Sequence, residues 1–162
     1  MQLLLIRHAD AGERDPERWP DDRDRPLTDK GRKTQRRVSR WLGKQGLVPT
    51  VVLTSPWARA AETAEIVANE LGLPHPPTPC EALAAPPDPI RLADCIGEPD
   101  PNAIVALVGH SPWMEELAVL LLAGSGAGFG IDFPKSGVMG MNLERVEPAA
   151  GELRSFVRPK MV

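Results

Sequence analysis

The segment "LLLIRHADAG" (residues 3–12) predicts the centre of the fold. Leu3 to Ile6 form an unbroken apolar run, the pattern of a strand buried on both faces of a parallel sheet. Arg7 and His8 follow at once, so a cation and a titratable imidazole stand at the carboxyl end of this strand. In open parallel sheets, ligands bind outside the carboxyl ends of the strands. The segment therefore predicts both a central strand and one side of a binding site.

Composition bounds the class of protein. The chain has 162 residues, 42% hydrophobic and 25% charged, which is the balance of a globular protein. This length predicts one domain over 1–162. The formal net charge of −3 gives no global positive field, so neither nucleic acid nor a membrane is expected as a partner. The N-terminal apolar run is too short for a secretion signal, and no stretch reaches the length of a membrane span, so we expect a cytoplasmic protein.

The two cysteines, Cys80 and Cys95, fit no metal motif. Their spacing matches none of the Cys/His patterns that bind zinc, so no metal site is predicted. A disulfide between them stays open, although two cysteines without a secretion signal fit a reducing compartment better.

Apolar runs and helical periodicity alternate along the chain. This alternation predicts an α/β fold, a three-layer α/β/α sandwich with a mainly parallel central sheet. Between the elements, residues 11–27 hold ten charges and three prolines, and residues 74–101 hold nine prolines. We expect the second segment to fold over the domain, because too little chain remains on either side for two cores. The predicted strands are 2–6, 51–54, 104–108, 138–143 and 153–157, and the predicted helices are 28–45, 56–71, 90–96 and 111–122.

Two strand-to-helix junctions share one sequence plan. "VVLTSPWARAAET" (51–63) and "VALVGHSPWMEEL" (105–117) each place Ser-Pro-Trp between an apolar strand and a helix. Serine suits the N-cap position of a helix and proline suits the first helical position, so we expect these roles in both helices. Trp57 and Trp113 stand at matching positions and either flank the site or pack beneath it.

Polar residues follow three of the predicted strands. The first strand ends in Arg7 and His8, the second leads through Ser55 to Arg59 one helical turn later, and the third ends in His110. We expect these side chains to meet in one crevice at the carboxyl edge of the sheet. Arginine forks and helix N-termini bind the oxygens of phosphate, and a neutral histidine can act as a nucleophile toward phosphorus.

Each of these residues also has a structural explanation. A lone histidine at a strand end is more often structural than catalytic, and Arg59 could pair with Glu62 three residues later on its own helix. The convergence of two arginines and two histidines at one sheet edge favours the phosphate site.

Four segments in chain order resemble the histidine phosphatase superfamily, whose fold is phosphoglycerate mutase-like. "LIRHADAG" (5–12) resembles its Arg-His-Gly signature, with Ala9 where glycine is usual. Within the superfamily the chain is most similar to the small SixA-type phosphohistidine phosphatases. The other three segments are "RPLTDKG" (25–31) for Leu-Thr-x-x-Gly, "TSPWARAAETA" (54–64) for Ser-Pro-x-x-Arg-Ala-x-x-Thr, and "LVGHSP" (107–112) for the second histidine.

The resemblance implies a role for each matched residue. His8 would be the nucleophile and would carry a phosphohistidine intermediate, while Arg7, Arg59 and His110 would hold the phosphoryl group. We expect His8 to be neutral, with its second ring nitrogen held by a backbone carbonyl. The arginines and a protonated His110 would supply the positive charge, so neither a cofactor nor a metal is expected.

Three further residues are candidates for substrate binding. They are Arg25 and Ser55 within the matched segments, and Glu81 in the proline-rich loop. Many members of the superfamily use a carboxylate to protonate the leaving oxygen, and Glu81 lies roughly where that acid would stand. Asp10 is a weaker candidate for the acid and could instead position the loop after His8. A phosphohistidine substrate would need no such acid, because imidazole leaves far more easily than an alkoxide.

The predicted function is that of a metal-independent phosphatase acting on phosphohistidine in a protein. A phosphatase of small phosphate esters or nucleotides is the alternative within enzymes, and a mutase is less favoured because the chain has little room for a lid. A non-catalytic phosphate-binding module is the alternative from another class, against which the intact His8 argues. The sequence names neither the substrate nor the partner.

Overall fold

The computed structural model describes residues 1–98, 100–125 and 128–162, so that Pro99 of the predicted 74–101 loop lies outside the described residues. Within these ranges six strands and four helices alternate. The strands are β1 Gln2–Arg7, β2 Val51–Thr54, β3 Thr78–Pro79, β4 Ile104–Gly109, β5 Val138–Leu143 and β6 Gly151–Val157, and the helices are α1 Asp29–Lys44, α2 Ala58–Leu71, α3 Pro89–Ile96 and α4 Trp113–Ala123.

The six strands form one sheet in the order β3-β2-β4-β1-β5-β6. Strands β1 to β4 run parallel to one another, and Leu5 of β1 stands opposite Leu107 of β4. Strand β5 runs antiparallel to both β1 and β6. The prediction of a mainly parallel sheet is confirmed. Because β1 lies between β4 and β5, its carboxyl end opens in the middle of the sheet edge.

Helices cover both faces of the sheet. Leu3 and Leu5 of β1 point into one core with α3 and α4, whereas Leu4 and Ile6 point into another with α1 and α2. All four side chains are fully buried, as an unbroken apolar run requires when neither face meets water. The predicted three-layer α/β/α sandwich is therefore confirmed.

The start of α1 packs tightly beneath the loop that follows His8. Thr28 is its N-cap, as predicted, and its hydroxyl accepts a hydrogen bond from the Gly31 amide at 3.0 Å. The Thr28 amide donates to the Asp10 carbonyl at 2.9 Å. A Cβ atom on Gly31 would overlap that same carbonyl oxygen. The Leu-Thr-x-x-Gly segment thus fixes the loop after His8, and glycine is required there for its size.

The predicted roles of serine and proline at the two Ser-Pro-Trp junctions are both wrong, since neither serine is the N-cap and neither proline is the first helical residue. The N-caps are Trp57 for α2 and Pro112 for α4, and neither makes a side-chain capping bond. The serine hydroxyls are engaged elsewhere: Ser55 is hydrogen-bonded to His110 at 2.8 Å, and Ser111 donates to Glu115 at 2.7 Å. Ser55 also keeps a local contact, because its hydroxyl accepts a hydrogen bond from the Trp57 amide at 3.3 Å, and Glu115, the partner of Ser111, lies in the first turn of α4.

The proline-rich segment folds over the domain, as predicted. Cys80, Leu83 and Leu92 are buried in the core on the α3 and α4 side of the sheet. Cys80 and Cys95 are free thiols, and burial raises the pKa of Cys80 to about 11. Three short 3-10 turns were not predicted from sequence, and they cover Asp22–Asp24, Glu81–Ala84 and Pro159–Met161.

No helix in the described ranges is long and apolar enough to cross a membrane.

Candidate active site

The structure brings the predicted histidines and arginines to one edge of the sheet. His8 follows β1, Ser55 follows β2 and His110 follows β4, and these three strands are neighbours in the sheet. The imidazole centroids of His8 and His110 are 5.1 Å apart. His8, His110 and Arg59 are 7%, 3% and 5% exposed, respectively. A buried pair of imidazoles with a buried guanidinium beside it forms the floor of the site.

His8 is held in one tautomer. Its Nδ1 lies 2.7 Å from the Ala9 carbonyl oxygen, which can only accept a hydrogen bond, so Nδ1 carries the proton. The Nε2 atom therefore has a free lone pair, and Arg59 Nε donates to it at 3.3 Å. This is the backbone-carbonyl contact expected from sequence. It leaves Nε2 as the nucleophilic nitrogen, directed toward a guanidinium.

The surroundings keep His8 uncharged. Burial, followed by the charges of Arg59, Arg7 and Lys135, lowers the pKa of His8 to about 3, although the bond to the Ala9 carbonyl opposes this shift. Near neutral pH the imidazole is therefore neutral, with its proton on Nδ1, which is the state in which Nε2 can attack an electrophile.

Arg59 bridges His8 and a carboxylate that the sequence did not reveal. Its Nη1 donates to the backbone carbonyl of Asp22 at 2.8 Å, and its Nη2 lies 3.3 Å from the Asp22 carboxylate. Its guanidinium also stacks over the Trp57 ring at 4.7 Å. Burial lowers the pKa of Arg59, and the Asp22 carboxylate opposes that shift. Arg59 is thus fixed by two side chains with its Nε directed at His8.

His110 is also neutral, contrary to the expectation of a protonated second histidine. Its Nε2 is hydrogen-bonded to the Ser55 hydroxyl, and burial together with His8 and Arg59 lowers the pKa of His110 to about 2. The Trp57 ring lies 4.5 Å from its ring centroid. Its Nδ1 is buried and has no hydrogen-bond partner among the described residues. That nitrogen is available to a ligand.

Arg7 reaches the site from the opposite side. Its Nη1 donates to the Phe133 carbonyl at 2.6 Å and lies 3.8 Å from the Glu115 carboxylate. Its Nε is buried without a partner in the part of the chain that the structure describes. Ser111 holds the same Glu115 oxygen. The guanidinium is therefore anchored on one side only and keeps an unused donor.

Arg25 lies beside the site but is engaged by the protein. Its Nε donates to Asp22 at 2.8 Å, and its Nη1 donates to the carbonyls of Ala11 and Gly12 at 3.0 and 2.8 Å. The side chain links the charged loop to the turn after His8, and its connection to Arg59 runs through Asp22.

The two candidate acids occupy different surroundings. Glu81 is exposed and lines an open cleft of about 590 Å³ together with Asp22 and Trp57. Asp10 pairs with Lys135 at 2.5 Å and accepts a hydrogen bond from the Thr28 hydroxyl, and these contacts lower the pKa of Asp10. Asp10 therefore positions the loop, the second of the two roles considered for it.

Ala9 is compatible with its place beside His8. It is not among the residues with positive φ, which in the described part of the chain are glycines apart from Ser136 and Ala149. Its amide donates to the Thr63 hydroxyl at 3.1 Å, and that hydroxyl donates to the Arg59 carbonyl. Thr63, the final threonine of the Ser-Pro-x-x-Arg-Ala-x-x-Thr segment, thus links Ala9, which follows His8, to the helix that carries Arg59.

Three charged residues of the site were missed from sequence. Asp22 and Lys135 lie in loops whose charges gave no signal of their partners. Glu115 had a detectable signal, because it stands four residues after Ser111 as Arg59 stands four residues after Ser55.

The arrangement is suited to a phosphoryl group. Arg7, Arg59 and Lys135 surround two neutral imidazoles, and Arg7 Nε and His110 Nδ1 are buried polar atoms with unused hydrogen-bonding capacity. Among the described residues, no three His, Cys, Asp or Glu side chains are grouped as metal ligands. Two larger cavities, of about 610 and 640 Å³, lie at the opposite edge of the sheet around Met1 and Pro101.

Comparison with known proteins identifies the class. Residues 3–84, just over half of the chain, match the histidine phosphatase superfamily (branch 1). The chain is 37% identical to an uncharacterized protein of Picosynechococcus sp. over 148 residues, which cover 87% of this chain and 84% of that protein. The chain therefore belongs to the histidine phosphatase superfamily.

Solved structures of SixA proteins resemble the chain over almost its whole length. The protein histidine phosphatase SixA, solved in complex with tungstate, is 26% identical with a TM-score of 0.81, and the match covers 99% of both chains. A SixA protein from Agrobacterium tumefaciens is 21% identical with a TM-score of 0.71 over 97% of both chains, which shows the common fold. Family and neighbours together support a phosphatase with the phosphoglycerate mutase-like fold.

Proposed function

We propose that this chain is a metal-independent phosphatase, a single domain over 1–162, in which His8 Nε2 attacks the phosphorus of a phosphohistidine on another protein. The observation that carries the proposal is the state of His8. A backbone carbonyl holds its Nδ1 proton, its pKa is lowered to about 3, and its Nε2 lone pair is directed toward Arg59. A neutral imidazole facing a guanidinium is a nucleophile beside an anion site.

The proposed reaction balances without an added acid. In the first step a bond forms between His8 Nε2 and phosphorus, and the bond from phosphorus to the substrate imidazole breaks. That imidazole keeps its other ring proton and leaves neutral, with the electron pair of the broken bond. In the second step water attacks phosphorus, the bond to His8 breaks, and dihydrogen phosphate departs with both protons of the water. His8 regains its lone pair with Nδ1 still protonated.

The remaining site residues would stabilise the transferred group. Arg59 and Arg7 would donate to its oxygens, which carry the charge in a loose phosphoryl-transfer transition state. His110 would donate or accept through Nδ1, and the negative charge of an arriving dianion would raise the pKa of His110. Ser55 would act by orienting His110, and Arg25 would act through the Asp22 contact.

The exposed position of Glu81 supports phosphohistidine as the substrate. No hydrogen bond joins its side chain to His8, His110 or either arginine in the described part of the chain. Without a closely held acid the site favours a leaving group that needs no proton. The SixA protein solved with tungstate is a protein histidine phosphatase, and its similarity over the whole chain supports the same substrate class here.

A small phosphate ester is the second candidate substrate. The observation in its favour is the cleft of about 590 Å³, which Glu81 lines together with Asp22 and Trp57, the two side chains that hold Arg59, so that a bound ester in this cleft would have a carboxylic acid beside it. This alternative requires Glu81 for turnover, whereas the phosphohistidine reaction does not.

Single-turnover transfer separates the two candidates. The wild-type enzyme and the variants His8→Ala and Glu81→Gln would each be mixed, in excess over substrate, with a histidine-phosphorylated phosphocarrier protein or with para-nitrophenyl phosphate. Every reaction would contain EDTA. We expect rapid loss of the protein phosphate, abolished in His8→Ala and unchanged in Glu81→Gln. Fast hydrolysis of the aryl ester that depends on Glu81, with the protein phosphate untouched, would establish the second candidate instead. Phosphate binding without turnover of either compound would indicate a binding module.

A further inference from the structure

A second cleft of about 460 Å³ lies along α4, on the Arg7 side of the site. One wall is the exposed face of α4, and the other is the segment 129–131. Most of its lining is apolar, and Phe129 is 52% exposed at its rim. The residues that line this α4 cleft include Pro87, Glu115, Glu116, Leu120, Phe129 and Ile131.

The α4 cleft is continuous with the phosphoryl site through one side chain. Glu115 lines the cleft and lies 3.8 Å from Arg7 Nη1. Arg7 in turn donates to the carbonyl of Phe133, two residues beyond the wall that contains Ile131. A molecule whose phosphoryl group reaches Arg7 therefore has the start of this cleft beside it.

The chemistry of the cleft excludes an anionic ligand. Among the described residues, its charged side chains are Glu115 and Glu116, and no lysine, arginine or histidine lines it. The Glu115 Oε2 atom is buried and has no hydrogen-bond partner among the described residues. A nucleotide or phosphorylated sugar would place negative charge or hydroxyl groups against carboxylates and apolar carbon. An apolar side chain with a neighbouring cation matches the same surface.

The cleft near Glu81 provides a contrast on the same molecule. It is lined by Arg14, Arg23, Asp21, Asp22 and Glu81, so both signs of charge alternate there. Such a surface favours neither anionic nor cationic ligands, whereas the α4 cleft is lined by two glutamates and has an apolar floor.

We propose that the α4 cleft binds the polypeptide on either side of the phosphorylated residue, seating an apolar side chain against Phe129 and Leu120 and a lysine or arginine opposite Glu116. The proposal rests on the proposed function and names the recognition that would accompany it. An exposed aromatic residue at the rim of an otherwise apolar cleft is a typical anchor for a peptide, and a rim carboxylate sets the charge of the partner.

Synthetic phosphohistidine compounds test the proposal on the intact protein. The three substrates are phosphohistidine itself, a peptide with Leu and Lys beside the phosphohistidine, and a peptide with Gly and Asp in those places. The variants are Phe129→Ala and Glu116→Lys. Their matched controls are Leu153→Ala, which removes a side chain that is 51% exposed on β6, and Glu65→Lys on the exposed face of α2.

We expect wild type to prefer the Leu/Lys peptide over the Gly/Asp peptide about tenfold in kcat/KM, through KM. Phe129→Ala should lose most of that preference, Glu116→Lys should favour the Gly/Asp peptide, and both controls should behave as wild type. Turnover of phosphohistidine itself should stay within about twofold of the wild-type rate in all variants, because the substituted residues of the α4 cleft are not part of the phosphoryl site.

Two results would overturn the proposal, and they are distinguishable. If wild type hydrolyses both peptides and phosphohistidine with the same kcat/KM, the docking proposal is wrong while the proposed function stands. If wild type hydrolyses none of the three compounds, the proposed function is wrong and the docking proposal falls with it.

Discussion

The two Ser-Pro-Trp junctions share a sequence and a place in the fold, yet they deliver opposite charges to the site. Four residues after its serine, the β2–α2 junction carries Arg59, whose Nε donates to His8. Four residues after its serine, the β4–α4 junction carries Glu115, which lies beside Arg7. The serines differ in the same way, since Ser55 is bonded to His110 and Ser111 to Glu115.

The two junctions place residues with different roles at equivalent sequence positions. In the first junction the residue one turn into the helix contacts the candidate nucleophile itself. In the second junction the equivalent residue contacts another site residue, and also lines the α4 cleft. The same Ser-Pro-Trp sequence therefore precedes a contact group on one side of the histidines and a positioning group on the other.

The largest effect should separate Arg59 from Glu115. We expect Arg59→Ala to lower kcat by about 10² to 10³-fold, because it removes a preorganised donor to the transferred phosphoryl group. Glu115→Ala should affect kcat through the positioning of Arg7, and we expect a loss of about tenfold. Single-turnover rates on a histidine-phosphorylated protein, with circular dichroism as the check on folding, measure both. Equal losses in the two variants would mean that the junctions are functionally equivalent.

Acid should lower the stability of the folded protein because of its two buried histidines, His8 and His110. The folded pKa values of His8 and His110, about 3 and about 2, lie below the ordinary value of 6.5. Below pH 6.5 the unfolded chain binds protons that the folded protein does not, so stability is fully present above pH 6.5 and is lost as pH falls toward 3.

Urea unfolding measures that loss between pH 7.5 and 5. We expect the free energy of unfolding to fall by about 2 kcal/mol per histidine at pH 5, from a slope of about 1.4 kcal/mol per pH unit. The double variant His8→Asn with His110→Asn should lose most of this pH dependence over the same window. A wild-type stability that is flat from pH 7.5 to 5 would show that the histidines titrate normally in the folded protein.

Substituting the two serines should give smaller changes in stability and in kcat. Ser55 is fully buried, and Ser55→Ala leaves His110 Nε2 without its partner, so we expect a cost of about 1 to 3 kcal/mol in stability together with a lower kcat. Ser111→Ala removes a partly buried bond to Glu115, and we expect about 1 kcal/mol with kcat nearly unchanged. Urea unfolding and single-turnover rates provide the comparison, and a larger loss of kcat in Ser111→Ala would reverse the assignment.

Substituting the two tryptophans should give the smallest difference in kcat. Trp57 lies 4.5 Å from the His110 ring and beneath the Arg59 guanidinium, whereas Trp113 lies 6.0 Å from His110 at its edge. We expect Trp57→Leu to reduce kcat by about two- to fivefold through the lost cation–π contact, and Trp113→Leu to leave it unchanged. A larger effect in Trp113→Leu would indicate that the second junction, not the first, positions His110.

The mainly parallel sheet and the meeting of the histidines at its edge were predictable because they follow from general rules. An unbroken apolar run such as Leu3 to Ile6 must be covered on both faces, and parallel strands present their carboxyl ends at one edge. Arg59 was correctly expected at that edge, and its alternative partner Glu62 instead pairs with Arg32 at 2.8 Å. Periodicity also located α1 and its cap at Thr28.

The contacts that depend on packing could not be predicted. Asp22 is one of ten charges in a short loop, and only the folded position of the 3-10 turn selects it as the partner of Arg59. The serines are not N-caps because α2 and α4 begin at Ala58 and Trp113, three and two residues after them. The charge of His110 was wrongly expected because its pKa depends on burial, which one sequence position does not reveal.

The central claim is that His8 Nε2 carries the phosphoryl group during turnover. The most direct measurement is ³¹P NMR of the enzyme mixed with a histidine-phosphorylated protein and quenched in alkali, in which phosphohistidine survives, followed by peptide mapping. We predict one phosphorylated residue, His8, substituted at Nε2, and none in His8→Asn. Phosphate on another residue or on Nδ1, or full turnover by His8→Asn without a phosphorylated enzyme, would contradict the claim.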